Sequence, residues 1–486
     1  MFEPMSIFNK YKITQDFLDE VFLDNKKIRA PYQKVLEILD NYDAEAFMQL
    51  NDNAKLSFLN QGITYQVYDN NEIKEHIFPF DLLPRIITKD EWTVIEKGVL
   101  QRNKALNIFL EDIYNDQHVF RDKIIPKEMI LSSPHYCKLM EGYRPKGGIY
   151  CHISGTDLIK HSDDKYYVLE DNLRSPSGVS YVISNRKALK KTLGNLFKTC
   201  KINMVSDYPI ELLDTLQSVA QPTDKEINCV LLTPGMYNSA YFEHAFLAQQ
   251  MGIDLVEGQD LYVHQNIVFM KTTRGPIKVD VIYRRIDDPF LDPEVFKPTS
   301  MLGVHGLMKS YLAGNVSIVN APGTGIADDK AIYQYVPDLI RYYLNEEPIL
   351  PNVETYICEK PNDMKYVLEN LDKLVVKPVD LSGGYGVKIG SKLTKKELEE
   401  TAAEIKETPR NYVAQPIMAL SLHSTYIEGE NKFEPRHVDL RTFCLMGDQK
   451  EYVLKGGLTR VALKKGSLIV NSSQGGGSKD TWVIEN

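Results

Sequence analysis

Residues 375–387 read VVKPVDLSGGYGV, a β-rich run with a lysine at its end and then three glycines within four residues. Lys377 places a fixed cation where the strand stops. Gly383, Gly384 and Gly386 let the backbone turn sharply and bring bare N–H groups close to a ligand, for which a polyphosphate is the natural match. A glycine loop after a strand is also the commonest form of plain turn. The lysine is what favours the phosphate reading. Two better-known phosphate signatures are absent. QGGGSKD (474–480) has a serine between its last glycine and Lys479, so it is no G-x-x-x-x-G-K-[ST]. NAPGTGIADDK (320–330) has Asp328 where the third glycine of G-x-G-x-x-G belongs. A nucleotide held by this chain is held by other loop chemistry.

A second set of residues offers oxygen ligands. Residues 147–181 read as two strands joined by the polar turn HSDDK. Alternation along the second strand puts Tyr166, Val168, Glu170 and Asn172 on one face. Glu170 and Asn172 then stand about 6–7 Å apart along the strand. A carboxylate and an amide carbonyl so placed suit a hard cation such as Mg²⁺. The plainer alternative is a solvent-facing strand edge. Arg174, just beyond, reads as a solvated cation or a phosphate contact. The loop TPGMYN (233–238), with Gly235, opens a helix whose N-terminus suits an anion, or it is a tight βα turn. Arg284 and Arg285 end a strand; they grip phosphate or carboxylate, or pair with Asp287 and Asp288.

The elements that must position these groups follow from composition and periodicity. At 486 residues the chain has room for about two to four domains. Its formal charge of −9 argues against a nucleic-acid or anionic-membrane partner. The start, MFEPMSIFNKYK, lacks an apolar secretory core, and no apolar run is long enough to span a bilayer. The cysteines at 137, 151, 200, 229, 358 and 444 form no C-x-x-C and read as reduced thiols of a cytoplasmic protein. The first ninety or so residues read as mainly helical, with an extended polar patch at 61–70. Trp92, Ile95, Val99, Leu106, Phe109, Leu110 and Ile113 recur at helical steps and predict an amphipathic helix facing a core. Residues 227–257 read as strand, loop, helix and strand, a βαβ unit. A helix is expected from Ala327, with Lys330 near its start. A small α+β segment follows 348–351 and runs to 417, with a charged helix at 394–407. Strands at 439–447 and 456–463 carry Arg441 and Arg460. Residues 472–480 read as a mobile loop or tail.

Taken together, YYVLEDNLRSPSGVSY, PGMYNSAYFEHAFLA, YRRIDDPFLDP, NAPGTGIADDKAIYQYVPDLIRYYL, VVKPVDLSGGYG, DLRTFC and GGLTRVA resemble the circularly permuted type 2 ATP-grasp family, a relative of glutathionylspermidine synthetase. The resemblance runs from about residue 60 to the end. It implies an α+β / α/β chain with a circularly permuted ATP-grasp fold, in which ATP lies between two α+β lobes. The expected units are a helical N-terminal region (1–90), the metal-ligand part of the core (91–225) and a βαβ pre-ATP-grasp-like segment (226–325). A nucleotide-binding lobe (326–420) and the C-terminal part of the core with its mobile tail (421–486) complete the chain. The resemblance assigns ATP phosphates to Lys377, to the loop Gly383, Gly384 and Gly386, and to Lys330 of DDKA. It assigns adenine to backbone groups near Val413 and Gln415. Asp157, Glu170 and Asn172 become the Mg²⁺ ligands, and Arg441 and Arg460 lie beside the triphosphate or an acyl-phosphate. The metal carboxylates precede the lysine–glycine elements, so the N- and C-terminal thirds must pack together.

The implied activity is an ATP-dependent carboxylate–amine ligase working through an acyl-phosphate. Its partners are a small-molecule or peptide carboxylate and an amine. The alternatives are a kinase that stops at a phosphorylated product and an ATP-binding subunit of a larger assembly. The sequence lacks an N-terminal Cys/His amidase domain and has no arginine two residues ahead of Asp157. Substrate-binding residues are therefore not carried over.

Overall fold

The computed structural model describes residues 7–9, 11–24, 27–69, 72–222, 224–380, 384–470 and 475–485. Its centre is a nine-stranded sheet. Along that sheet run Glu451–Val453, Cys444–Met446, Ile153–Lys160, Lys432–Arg441, Leu458–Val461, Gly477–Val483 and Phe80–Ile87. Tyr166–Asn172 pairs with Ile153–Lys160, and Leu422–Ile427 pairs with Lys432–Arg441. The helix Lys89–Tyr114 packs on this sheet. Thr88 caps it in a reciprocal capping box with Glu91. Its apolar stripe is buried from Trp92 to Ile113, as the spacing predicts. At about 1.5–3 kcal/mol for each large apolar side chain removed from water, that stripe far outweighs helix propensity.

Two smaller sheets flank the centre. A four-stranded parallel sheet runs Ser317–Val319, Val281–Arg284, Cys229–Leu232, Asp254–Val256, with Tyr241–Met251 as the crossover helix of the expected βαβ unit. A four-stranded antiparallel sheet runs Tyr356–Ile357, Tyr412–Pro416, Leu374–Pro378, Lys388–Ile389. The charged helix Lys395–Glu407 packs on this last sheet through Ile405, with Leu398 and Ala402 beside it.

Two expectations need correcting. The first ninety residues contain the helices Gln33–Leu39 and Ala44–Asn60, but then turn to strands at Thr64–Asp69, Glu72–Ile77 and Phe80–Ile87. Phe80–Ile87 is the outermost strand of the main sheet, so Pro84 can lack its N–H without breaking an inner ladder. The second concerns the tail. Gly477–Val483 is a wholly buried strand between Leu458–Val461 and Phe80–Ile87, and its pairing with the latter is parallel. Residues 471–474 lie outside the described residues. The glycine and serine content suggested mobility, whereas the strand's partner lies almost four hundred residues away. This pairing joins the N- and C-terminal parts, as permutation requires.

Lys479 is fully buried in that strand. It pairs with Asp81 and also donates to the Ser424 carbonyl at 3.0 Å. Lys479→Ala leaves the Asp81 carboxylate buried without its cation. A loss of about 3–5 kcal/mol in unfolding free energy is expected from denaturant titration. A loss below about 1 kcal/mol, the size of a surface pair, would contradict this placement.

Candidate functional site

The cleft lies between the antiparallel sheet carrying Lys377 and the main sheet carrying Asp157. Its atom-free volume is about 920 Å³, including the open mouth. Lys377, Gln415 and Gly384 line one side; Asp157, Glu170 and Arg460 line the other, and Lys330 lies among them. The remaining wall is apolar, with Val375, Ile389, Met418, Leu420, Leu468 and Ile469. One part of the cleft thus suits a flat apolar ring and the other a string of phosphates.

Lys377 comes from the strand Leu374–Pro378 and is 8% exposed. Its ammonium donates to Gln415 Oε1 at 2.6 Å, and Gln415 Nε2 donates to Thr355 Oγ1 at 2.9 Å. Burial pulls the Lys377 pKa down to about 8, and Lys330 adds to the effect against Glu170 and Asp157. Gly384 and Gly386 have φ of +78° and +71°, a backbone state that glycine takes without strain. Gly383 lies outside the described residues. Lys330 opens the short helix Lys330–Tyr333, just after the 3₁₀ turn Thr324–Asp328, and its ammonium is 3.8 Å from Glu170.

Val413 and Gln415 play different parts from those expected. Tyr412–Pro416 is flanked by strands on both sides, and Val413 pairs with Lys377 on one and Ile357 on the other. Its backbone is committed to the sheet and its side chain to the core. Gln415 reaches the cleft through its side chain, as the partner of Lys377. The sequence offered no signal for this, because the two residues are 38 positions apart and meet only through strand pairing. Gln415→Leu is expected to weaken Mg·ATP and Mg·ADP binding about tenfold, the loss of one hydrogen bond to a charged group, and to leave adenosine binding unchanged. Titration calorimetry with the three ligands checks this. Equal weakening for adenosine would place Gln415 at the base instead.

Glu170 and Asn172 do share a side of their strand, but Tyr166 and Val168 face the other way. A β-bulge interrupts the pairing, so that Asp157 is opposite Glu170 while Leu158 is opposite Val168. Tyr166 and Val168 pack under the helix Lys89–Tyr114, whereas Leu169 and Glu170 both line the cleft. Asp171 turns to the helix side and pairs with Arg102 at 2.5 Å. Strict alternation cannot foresee the extra residue.

Asp157 is fully buried and both of its oxygens are engaged. Arg441 grips it in a fork, at 2.6 and 2.8 Å, and Arg460 adds a third bond at 2.7 Å. Burial pushes the carboxyl up, but Arg441 and then Arg460 outweigh that and hold it well below the usual carboxylate range. Asp439, which the sequence reading missed, pairs with Arg460 on the far side, and burial raises its pKa. Arg441 also comes within 3.8 Å of Glu170. Glu170 and the Asn172 amide carbonyl are hard oxygens suited to Mg²⁺. Asp157, by contrast, has both oxygens taken by Arg441 and Arg460. Among the described residues no group of three or more His, Cys, Asp or Glu is arranged to hold a metal. A cation here would need ligands beyond these protein oxygens to complete its shell.

Glu170 and Lys330 also line a second, very small polar pocket. It is lined by His135, Asn172, Arg174, Asp328, Val379 and Asp380. Arg284 and Arg285 lie elsewhere, as buried braces. Arg284 donates to the carbonyls of Asn320, Ile286 and Ala321 and pairs with Asp288 at 2.5 Å. Arg285 donates to the Pro176 carbonyl and pairs with Glu243 at 3.2 Å, rather than with Asp287. Glu243 in turn accepts from the N–H groups of Gly178 and Ser180 at the start of the helix Val179–Thr192. The 233–238 loop is a βα turn, with Thr233 Oγ1 accepting from the Gly235 N–H.

Comparison with known proteins agrees with this architecture. A model of the circularly permuted ATP-grasp type 2 family matches residues 84–462. An uncharacterized protein of Synechocystis sp. is 49% identical over 97% of both chains. An uncharacterized Mycobacterium tuberculosis protein is 46% identical over 98% of this chain and 86% of its own. A Frankia alni protein, provisionally named a glutamate–cysteine ligase, is 39% identical over 96% of this chain, which spans only 53% of that relative. A glutathione synthetase-like effector from Globodera pallida shares the fold at TM-score 0.57 and 11% identity, covering 91% of this chain and 98% of its own.

Proposed function

Because the chain belongs to the circularly permuted ATP-grasp type 2 family, we propose that it is an ATP-dependent ligase joining a carboxylate to an amine. The observation that carries this reading is the convergence of Lys377, Lys330 and Arg460 with Asp157 and Glu170 in one cleft that also has an apolar wall. The name of the Frankia alni relative agrees with a ligase, but that protein is nearly twice as long, so its substrates are not transferred.

In this proposal the apolar wall takes the adenine. Lys377 and Lys330 hold the triphosphate, and the loop at Gly384 and Gly386 closes over it. Mg²⁺, held by Glu170, Asn172 and Asp157, would supply charge neutralisation at the phosphates. Arg441 and Arg460 turn from Asp157 towards the γ-phosphoryl group and the bound carboxylate. The carboxylate oxygen bonds to the γ-phosphorus as the bond to ADP breaks. The amine nitrogen then bonds to the acyl carbon, phosphate leaves, and the nitrogen gives up a proton to give the amide. The glycine loop excludes water, which would otherwise hydrolyse the acyl-phosphate.

The test is ADP and phosphate release from Mg·ATP when pools of amino acids, other carboxylic acids and amines are offered, with products identified by mass spectrometry. An amide plus ADP supports the reading. A phosphorylated product that accumulates without amide would identify a kinase, and nucleotide binding without any turnover would identify an ATP-binding subunit.

A further inference from the structure

Lys330 is held in the cleft by contacts that lie outside it. The helix it opens, Lys330–Tyr333, is a single turn, and a lone turn is unfavourable without outside support. The two carboxylates just ahead of it supply that support. Asp328 Oδ1 accepts from the backbone N–H groups of Leu173 and Arg174, at the exit of the strand Tyr166–Asn172 that carries Glu170. Asp329 is 1% exposed and caps the helix, its Oδ1 accepting from the Ala331 N–H at 2.9 Å. Its Oδ2 accepts from Arg410 Nη2 at 2.7 Å and from Ser133 Oγ at 3.2 Å. The Lys330 N–H itself donates to the Val379 carbonyl at 3.2 Å, just beyond the strand that carries Lys377.

Arg410 is the distant member of this junction. It lies in the 3₁₀ turn Pro409–Asn411, which leads into Tyr412–Pro416, a strand paired with Leu374–Pro378. Its Nη2 donates to the Met129 carbonyl at 3.1 Å as well as to Asp329. A charge-assisted bond of this kind is about twice as strong as a neutral one. Without it Asp329 would remain buried with only a hydroxyl and an amide N–H as partners. A buried carboxylate that has lost its cation is costly, and a shift that relieves the cost moves the next residue in the chain, Lys330. A misplacement of about 1 Å in such a group can cost up to about 10²-fold.

We propose that Arg410 and Asp329 are positioning residues for Lys330. Their pair ties the Lys330 backbone to the sheet that carries Lys377, so that both ammonium groups meet one phosphate chain. Neither Arg410 nor Asp329 lines the cleft, so each acts through Lys330 and not on the ligand. The inference rests on the nucleotide reading of the cleft proposed above.

The test is a double-mutant cycle on the full chain, with Mg·ATP and adenosine affinities measured by calorimetry. Lys330→Met is expected to weaken Mg·ATP about tenfold or more, the loss of one charged contact, and to leave adenosine unchanged. Arg410→Met is expected to weaken Mg·ATP about five- to tenfold alone, and less than about twofold when combined with Lys330→Met. Asp329→Asn keeps the cap, because asparagine caps as well as aspartate, and removes only the charge that Arg410 meets. It should show the same pattern with a smaller loss, and it carries the test if Arg410→Met does not fold. Equal weakening with and without Lys330→Met, equal weakening of adenosine, or unchanged affinity in folded Asp329→Asn and Arg410→Met would each overturn the proposal. These outcomes leave the nucleotide site standing, since the unaltered protein still binds Mg·ATP. No Mg·ATP binding by the unaltered protein, or no effect of Lys330→Met, would overturn the phosphate role of Lys330 and the proposal together.

Discussion

Lys377→Met is expected to lower Mg·ATP-dependent turnover by about 10²–10³, the usual cost of removing one preorganised charge-stabilising donor. The side chain is buried on a rigid strand and its ammonium is aimed by Gln415. Methionine keeps the volume, so melting temperature should hardly change and the loss should appear in both nucleotide affinity and kcat. The same lysine gives a pH signature. Its pKa lies near 8 because burial disfavours the ammonium. The bound triphosphate favours that ammonium, so affinity should hold below pH 8 and fall above it, by up to about tenfold per pH unit until the bound-state pKa is reached. The folding contribution has its own sign. Burial of the charged form costs stability fully below pH 8, and the cost is relieved as the pH rises from 8 towards the ordinary lysine value. Affinity that is flat from pH 7 to 9.5, together with normal turnover in Lys377→Met, would remove Lys377 from the phosphate site.

Glu170→Gln is expected to reduce turnover by about 10² or more and to raise the Mg²⁺ concentration needed for half-maximal rate. A hard cation loses a charged oxygen in a position that also faces Lys330 and Arg441. The swap preserves shape, so circular dichroism should be unchanged. Asn172→Ala should act in the same direction with a smaller shift, since it removes a neutral carbonyl. Both are read from rate against free Mg²⁺ at saturating ATP. An unchanged Mg²⁺ dependence in both variants would make Glu170 an arginine and lysine partner only, and the metal ligands would have to lie elsewhere in the cleft.

What could be read in advance was local. The stripe from Trp92 to Ile113, the βαβ unit, the capped helix Lys395–Glu407 and the lysine–glycine loop each declare themselves within a few turns of chain. The shared side of Glu170 and Asn172 was also legible, although the bulge at Leu169 and Glu170 reverses Tyr166 and Val168. What stayed hidden depends on partners distant in sequence. Arg441 and Arg460 converge on Asp157 because three strands from opposite ends of the chain pair side by side. Lys479 looks like part of a polar tail until Phe80–Ile87 supplies its sheet edge and Asp81 its counter-charge. Val413 looked available to a base, and only its two flanking strands show that its backbone is taken. The adjacent arginines 284 and 285 read either as a phosphate or carboxylate grip or as partners of Asp287 and Asp288. Arg284 does pair with Asp288, while Arg285 goes to Glu243 and a carbonyl, which only the folded neighbours reveal.

The most direct measurement is calorimetric titration of the full chain with ATP in the presence and absence of Mg²⁺. The proposed site predicts one nucleotide per chain, with a dissociation constant between about 1 μM and 1 mM, tightened by Mg²⁺. It also predicts that Lys377→Met weakens binding sharply while the protein stays folded. Absence of ATP binding with Mg²⁺ present, or binding that ignores both Mg²⁺ and Lys377, would contradict a nucleotide site in this cleft.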